Sequence, residues 1–216
     1  MGWSGSTAGG ATATSTVSGG LGSLSSKYES GGNAGSIART PGDIGGASYG
    51  KYQLTTASGS AKAFVESLKN IDKTAYQQLA GKAPGSAAFD SAWKAVANGN
   101  SNFGSYQHNF IQQKYFDPAV SSVKKVIGLD VTRRSQAVQD AIWSTAVQHG
   151  SGSVAKILKN AGISPMTSDA EIIKRIYAER AAGNGTKYFS KSSTAVRNSV
   201  VKRFGSEMKD ALNMLT

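Results

Sequence analysis

Cysteine is absent from this 216-residue chain, histidine occurs twice, proline four times, and charged residues make up only 17%. Without cysteine there are no disulfide staples, thiol nucleophiles or thiolate-bound zinc. His108 and His149 alone are too few for a histidine metal centre, so neither a metal nor a cofactor is expected. No apolar run reaches the length needed to cross a bilayer. The first 26 residues carry no charged side chain, so the basic start of a secretory signal is missing. The expectation is a protein made in the cytoplasm without a signal peptide, which reaches its site of action by another route.

Residues 1–25 are almost entirely Gly, Ser, Thr and Ala, the composition of a flexible leader, with structure starting near Leu24. The remaining 26–216 is long enough for one domain with a proper core, and a monomer is expected. The formal charge is +11, from 24 Lys plus Arg against 13 acids, and residues 1–60 add little of it. Such a field attracts polyanions, but the basic residues lie singly along helical segments, so no specific nucleic-acid binding is expected.

The hydrophobic pattern is mostly helical. Phe64, Leu68, Ile71, Ala75 and Leu79 recur at three- and four-residue steps, and Phe89, Trp93 and Val96 mark a helix closed by Asn98-Gly99. Phe103, Tyr106, Phe110 and Ile111 precede Pro118, which can break that helix or open the next. The most apolar helix spans about 132–147, capped by Gly150, and is expected to be central and buried. Ser168 and Glu171 have capping-box spacing, and Val200, Phe204, Met208, Ala211 and Leu215 share one side of the last helix. Between Lys27 and Gln53 the glycine density predicts a short helix ending near Glu29, then a turn-rich excursion or small hairpin. The fold class is therefore mostly α (α+β), a helical domain with a small β-lobe.

Glu29 and Asp43 are the only acids of the first sixty residues. Two carboxyl groups on tight turns are what glycosidic bond cleavage requires, one to protonate the leaving oxygen and one to stabilise or attack the oxocarbenium carbon. Glu29 is the candidate general acid, with Tyr28, Tyr49 and Tyr52 as the apolar setting that would keep it protonated. Asp43 would stay ionised and stabilise the cation or orient water through the Ser48 hydroxyl.

The strings YESGG, GDIGGASYGKYQL and AIWSTAVQHG together resemble the lysozyme-like superfamily, and within it phage-encoded and secretion-associated peptidoglycan hydrolases. The order Glu29, Asp43, Ser48 is similar to phage lysozymes, although the Glu–Asp gap is longer and Ser48 stands for their Thr. Glu29-Ser30 with Gly50-Lys-Tyr-Gln53 resembles goose-type lysozymes and lytic transglycosylases. The resemblance implies a muramidase cutting the N-acetylmuramic acid to N-acetylglucosamine bond of bacterial peptidoglycan, in the periplasm or outside the cell. It also implies a carrier: an endolysin pathway, a virion or a secretion apparatus. Tyr49, Tyr52 and Gln53 would line the cleft, the rings stacking on sugars and the amide bridging hydroxyl or N-acetyl groups. Gln148 and His149 would face substrate; otherwise His149 complements the helix dipole. His108 is expected at the surface.

Four alternatives compete. A lytic transglycosylase would use Glu29 alone. A chitosanase shares the superfamily but acts on a cationic polymer, which a chain this basic suits poorly. A non-catalytic basic module would bind the envelope without turnover. Finally, Gly46-Ala-Ser48-Tyr-Gly50 fits G-x-S-x-G, with Asp130, Asp140 and His149 following in triad order, but ARTPGDIGG is no buried strand ahead of a nucleophile.

Overall fold

The computed structural model describes residues 20–25, 33–39 and 46–216. The predicted helix end at Glu29 and the turn at Asp43 lie outside these residues, as does Tyr28. The described chain forms two compact units, one containing 33–39 and 46–111, the other 20–25 and 112–216.

In the first unit, β1 (Ile37–Arg39), β2 (Ala47–Tyr49) and β3 (Leu54–Thr55) make an antiparallel sheet in that order, with Ser48 opposite Ala38 and Thr55. The helices α1 (Ser60–Leu68), α2 (Lys73–Leu79), α3 (Ala87–Gly99) and α4 (Phe103–Ile111) follow. The run expected from Phe64 to Leu79 is two helices, because Asp72 accepts the amide of Ala75 and caps α2. The break leaves Ile71 half-exposed rather than in the core. Ser86 caps α3 in the same way through the amide of Phe89. The core is aromatic: Tyr49, Phe64, Phe89, Trp93 and Phe103 are fully buried, and their rings meet at 4.9–5.9 Å. Burial of this kind contributes about 2–3 kcal/mol per large ring.

In the second unit, residues 21–25 form a turn and three helical residues, among which Leu24 is fully buried. After the π-helical turn Gln112–Phe116 come α5 (Asp117–Ile127), the 3-10 turn Val131–Arg133, α6 (Gln136–His149), α7 (Ser151–Asn160), α8 (Asp169–Arg180) and α9 (Thr194–Asn213). Pro118 sits in the first turn of α5, where its missing N–H costs nothing. Nine of the fourteen residues of α6 are buried, so it is the core helix of its unit, and Gly150 ends it at φ 80°. Ser168 has the extended backbone of a cap but makes no side-chain cap bond. The expected box is undone because Glu171 pairs with Arg175, while Asp169 accepts from Ser135 N and Arg134. Among the described residues no helix is long and apolar enough to cross a membrane.

Candidate active site

Strand β2 carries Ser48 and Tyr49 and runs into the turn Gly50–Gln53 before β3. Gly50 has φ 71°, and a Cβ there would lie 2.2 Å from Gln107 Oε1, so only glycine fits. Gln53 is also left-handed, at φ 49°, an uncommon conformation for a residue with a side chain. Its amide nitrogen reaches back to Gly50 O at 3.5 Å.

Ser48 is buried in the middle of the sheet. Because the chain continues from it into a turn and a strand rather than a helix, it does not stand on a nucleophile elbow. The other members of the serine-hydrolase reading have structural partners. Asp130 binds Lys124 and Thr132, and Asp140 accepts from Gly22 N, Ser23 Oγ and Leu24 N.

Tyr49 is placed in the core, not on a sugar-stacking surface. Its hydroxyl donates to Asp90 Oδ1 at 2.6 Å and accepts from Gly85 N at 2.7 Å, while Phe89 and Trp93 flank the ring. Burial and the adjacent Asp90 push the phenol up to about 12. The second Asp90 oxygen is held by Arg39. Tyr52 is 5% exposed, and its hydroxyl lies 2.7 Å from His108 Nδ1. His108 is thus half-buried against the turn, not a surface residue, and burial followed by the charge of Lys51 lowers its basicity.

In the second unit, Gln148 accepts from Arg180 Nη2 at 2.6 Å. The same guanidinium is completely buried, donates to Ser144 Oγ at 3.2 Å and lies over the Phe204 ring at 4.1 Å. Ser144 in turn donates to Glu207 Oε2, and Glu207 Oε1 meets Arg203 Nε at 3.0 Å. His149 packs between Tyr188 and Phe189, with ring centroids at 5.3 and 5.4 Å. Burial, then the positive charges of Arg180 and Arg203, lower its pKa to about 3. A neutral imidazole cannot complement the α6 dipole as a cation, so that expectation is overturned.

The residues that sequence reasoning passed over share one signal, a polar side chain on an apolar stripe. Gln107 falls between Phe103 and Ile111, Arg180 four after Ile176, and Glu207 between Phe204 and Ala211. All three are at most 2% exposed. Among the described residues no group of three or more His, Asp and Glu could hold a metal.

Comparison with known proteins places this geometry. Residues 21–208 match the family model described as type VI secretion system spike protein VgrG3-like, C-terminal. The type VI secretion system spike protein VgrG3 of Vibrio cholerae is 31% identical over 198 residues, covering 90% of this chain but 19% of that protein, so the chain spans about a fifth of the relative's length. Among solved structures, a chitosanase complex is similar with a TM-score of 0.53 at 20% identity, covering 82% of this chain and 81% of the other. The GH46 chitosanase of Gynuella sunshinyii in complex with chitotetraose also gives a TM-score of 0.53, at 15% identity, covering 85% and 79%. These likenesses establish a lysozyme-like α+β fold, mostly helical with a three-stranded sheet. Both the family model and the spike relative are named for type VI secretion, and neither is named as a phage endolysin.

Proposed function

Because the chain belongs to the family of VgrG3-like type VI secretion spike C-terminal domains, we propose that it is a glycan-cleaving domain carried by a secretion spike and directed at bacterial peptidoglycan. The observation that carries this reading is the β-lobe. The string GASYGKYQL, singled out with Glu29 and Asp43 in the sequence, forms β2, a strained turn and β3 against a helical body. Glu29 acts as general acid on the oxygen between N-acetylmuramic acid and N-acetylglucosamine. Asp43 stabilises the developing cation or orients water, with the Ser48 hydroxyl nearby in sequence. Gln53, at the exit of the turn, offers its amide to sugar hydroxyl or N-acetyl groups, and Gln148 with His149 are proposed as further substrate contacts. Delivery through a spike would bring the domain to the bacterial cell wall.

A second reading is favoured by the two solved structures named above, which are chitosanases. It is opposed by the charge of +11, since a basic protein repels a polymer of glucosammonium units and attracts an anionic wall.

Digestion of purified peptidoglycan and, separately, of chitosan by the wild type and by Glu29→Gln tests both. Muropeptides with reducing N-acetylmuramic ends from wild type only are the expected result. Anhydro ends would replace hydrolysis by transglycosylation and release Asp43 from its role. Cleavage of chitosan alone would move the assignment to the second reading. No cleavage of either polymer would sink the glycosidase.

A further inference from the structure

The turn Gly50–Gln53 is held from outside by two consecutive residues of α4. Gln107 is fully buried; its Oε1 accepts the amide of Lys51 at 2.9 Å, and its Nε2 donates to Ala34 O at 3.0 Å. Trp93 Nε1 donates to the same carbonyl at 3.0 Å. One carboxamide therefore ties the segment before β1 to the turn after β2. The next residue, His108, grips the turn by a side chain, through the 2.7 Å contact of Nδ1 with the Tyr52 hydroxyl and a ring approach of 6.0 Å.

The Lys51 backbone and the Tyr52 side chain, in the middle of the turn, are thus both held from one helix. Strain gives this a purpose beyond packing. Gln53 keeps φ at 49° although a non-glycine residue in this region costs on the order of 1–2 kcal/mol. Such a conformation persists only where its surroundings over-determine it, and Tyr52 is its immediate neighbour. A purely apolar contact at Tyr52 would fill the same space without fixing the direction of the ring. The hydrogen bond adds that direction.

We propose that His108 is a positioning residue of the active site: by holding the Tyr52 hydroxyl it fixes the Gly50–Gln53 turn and presents the Gln53 amide to the sugar in one orientation. This rests on the glycosidase reading above. Gln107 sets where the turn lies, and His108 sets how its exit is rotated. Since misplacement by about 1 Å lowers rates by large factors, loss of the Tyr52–His108 bond acts on turnover more than on folding.

The test is steady-state turnover of soluble, uncrosslinked glycan strands, with thermal melting of every variant. Tyr52→Phe and His108→Ala are each expected to lower kcat about tenfold with KM changed less than about twofold. Melting midpoints should move by less than about 3 °C. The double variant should be no slower than the slower single, and His108→Asn, whose Oδ1 takes the place of Nδ1, should recover most of the rate. Wild-type kcat in Tyr52→Phe overturns the proposal. Losses that multiply in the double variant, or that track the melting midpoint, overturn it as well. Glu29→Gln separates the two claims: if it is inactive while Tyr52→Phe is unimpaired, only the positioning role fails; if it is fully active, the glycosidase reading fails first.

Discussion

The carboxylate of Asp140 holds the backbone amide of Leu24 at 3.0 Å, across 116 residues of chain, and with its other oxygen takes the amide of Gly22 at 2.8 Å. Ser23 Oγ supplies a third donor. The segment that precedes Glu29 in sequence is thus fastened to the buried helix α6, close enough that a Cβ on Gly22 would meet Trp143 at 2.9 Å.

Replacing Asp140 with Ala leaves three donors facing an apolar side chain. The expected cost is about 3 kcal/mol, because buried donors lose a charged acceptor. Amide exchange at Gly22 and Leu24 should accelerate well beyond the global change in stability. Protection that survives at both amides would show that the turn is held by Leu24 burial and not by the carboxylate.

Tyr49→Phe separates a core role from a substrate role. The phenol bridges Asp90 and Gly85, so its removal should cost about 2 kcal/mol, or roughly 4–8 °C in melting midpoint for a chain of this size. Turnover and KM for glycan should stay within about twofold, since the Phe89 and Trp93 contacts remain. A large rise in KM with an unchanged midpoint would return Tyr49 to the cleft.

How much of this was readable beforehand follows from the physics of each position. The helices were visible because apolar residues around Phe64, Trp93, Ile142 and Phe204 recur with the period of an amphipathic face, and the small β-lobe because glycines cluster between Lys27 and Gln53. Boundaries set by single hydrogen bonds were not visible. Asp72 splits an apparently continuous stripe, and Glu171 prefers Arg175 to the cap of Ser168. The resemblance singles out Ser48, Tyr49 and Gln53 together, but Tyr49 lies in the core, because pattern alone does not tell a buried tyrosine from a stacked one. His108 reads as a surface residue in the sequence because its partner, Tyr52, is 56 residues away. The packing of Arg180 and Glu207 was hidden for the same reason: a charge on an apolar stripe reads as solvated until its partner is placed.

His149 should make stability fall in mild acid. Its pKa in the folded protein is about 3 against an ordinary 6.5, so the unfolded chain takes up the proton first as pH drops. The contribution is fully present above about pH 6.5 and is lost progressively down to about pH 3. Between pH 7 and 5 this amounts to about 1–2 kcal/mol for a residue that is not wholly enclosed. Denaturant melts of wild type and His149→Phe over that interval check it: the wild type should lose this much more than the variant, whose aromatic ring still packs on Tyr188 and Phe189. Parallel losses would mean that His149 titrates normally.

Glu207 is the acid set among Ser144, Arg180 and Arg203, with side-chain exposures of 2% for Glu207, 0% for Arg180 and 19% for Arg203. Removing its charge by Glu207→Gln keeps the volume but leaves the Arg180 guanidinium buried without a counter-ion, which should cost about 3–5 kcal/mol. Removing both ions should be milder. Arg180 already lies over the faces of Phe204 and Tyr177, so in Arg180→Met with Glu207→Leu apolar side chains meet an apolar wall. The double variant is expected to recover at least half of the stability lost in Glu207→Gln, since neither charge then has to be desolvated. The comparison is made by urea denaturation of the three proteins. If the double variant is the least stable, the ion pair contributes more than the cost of burying it, and α6, α8 and α9 depend on the charge network and not on the packing around it.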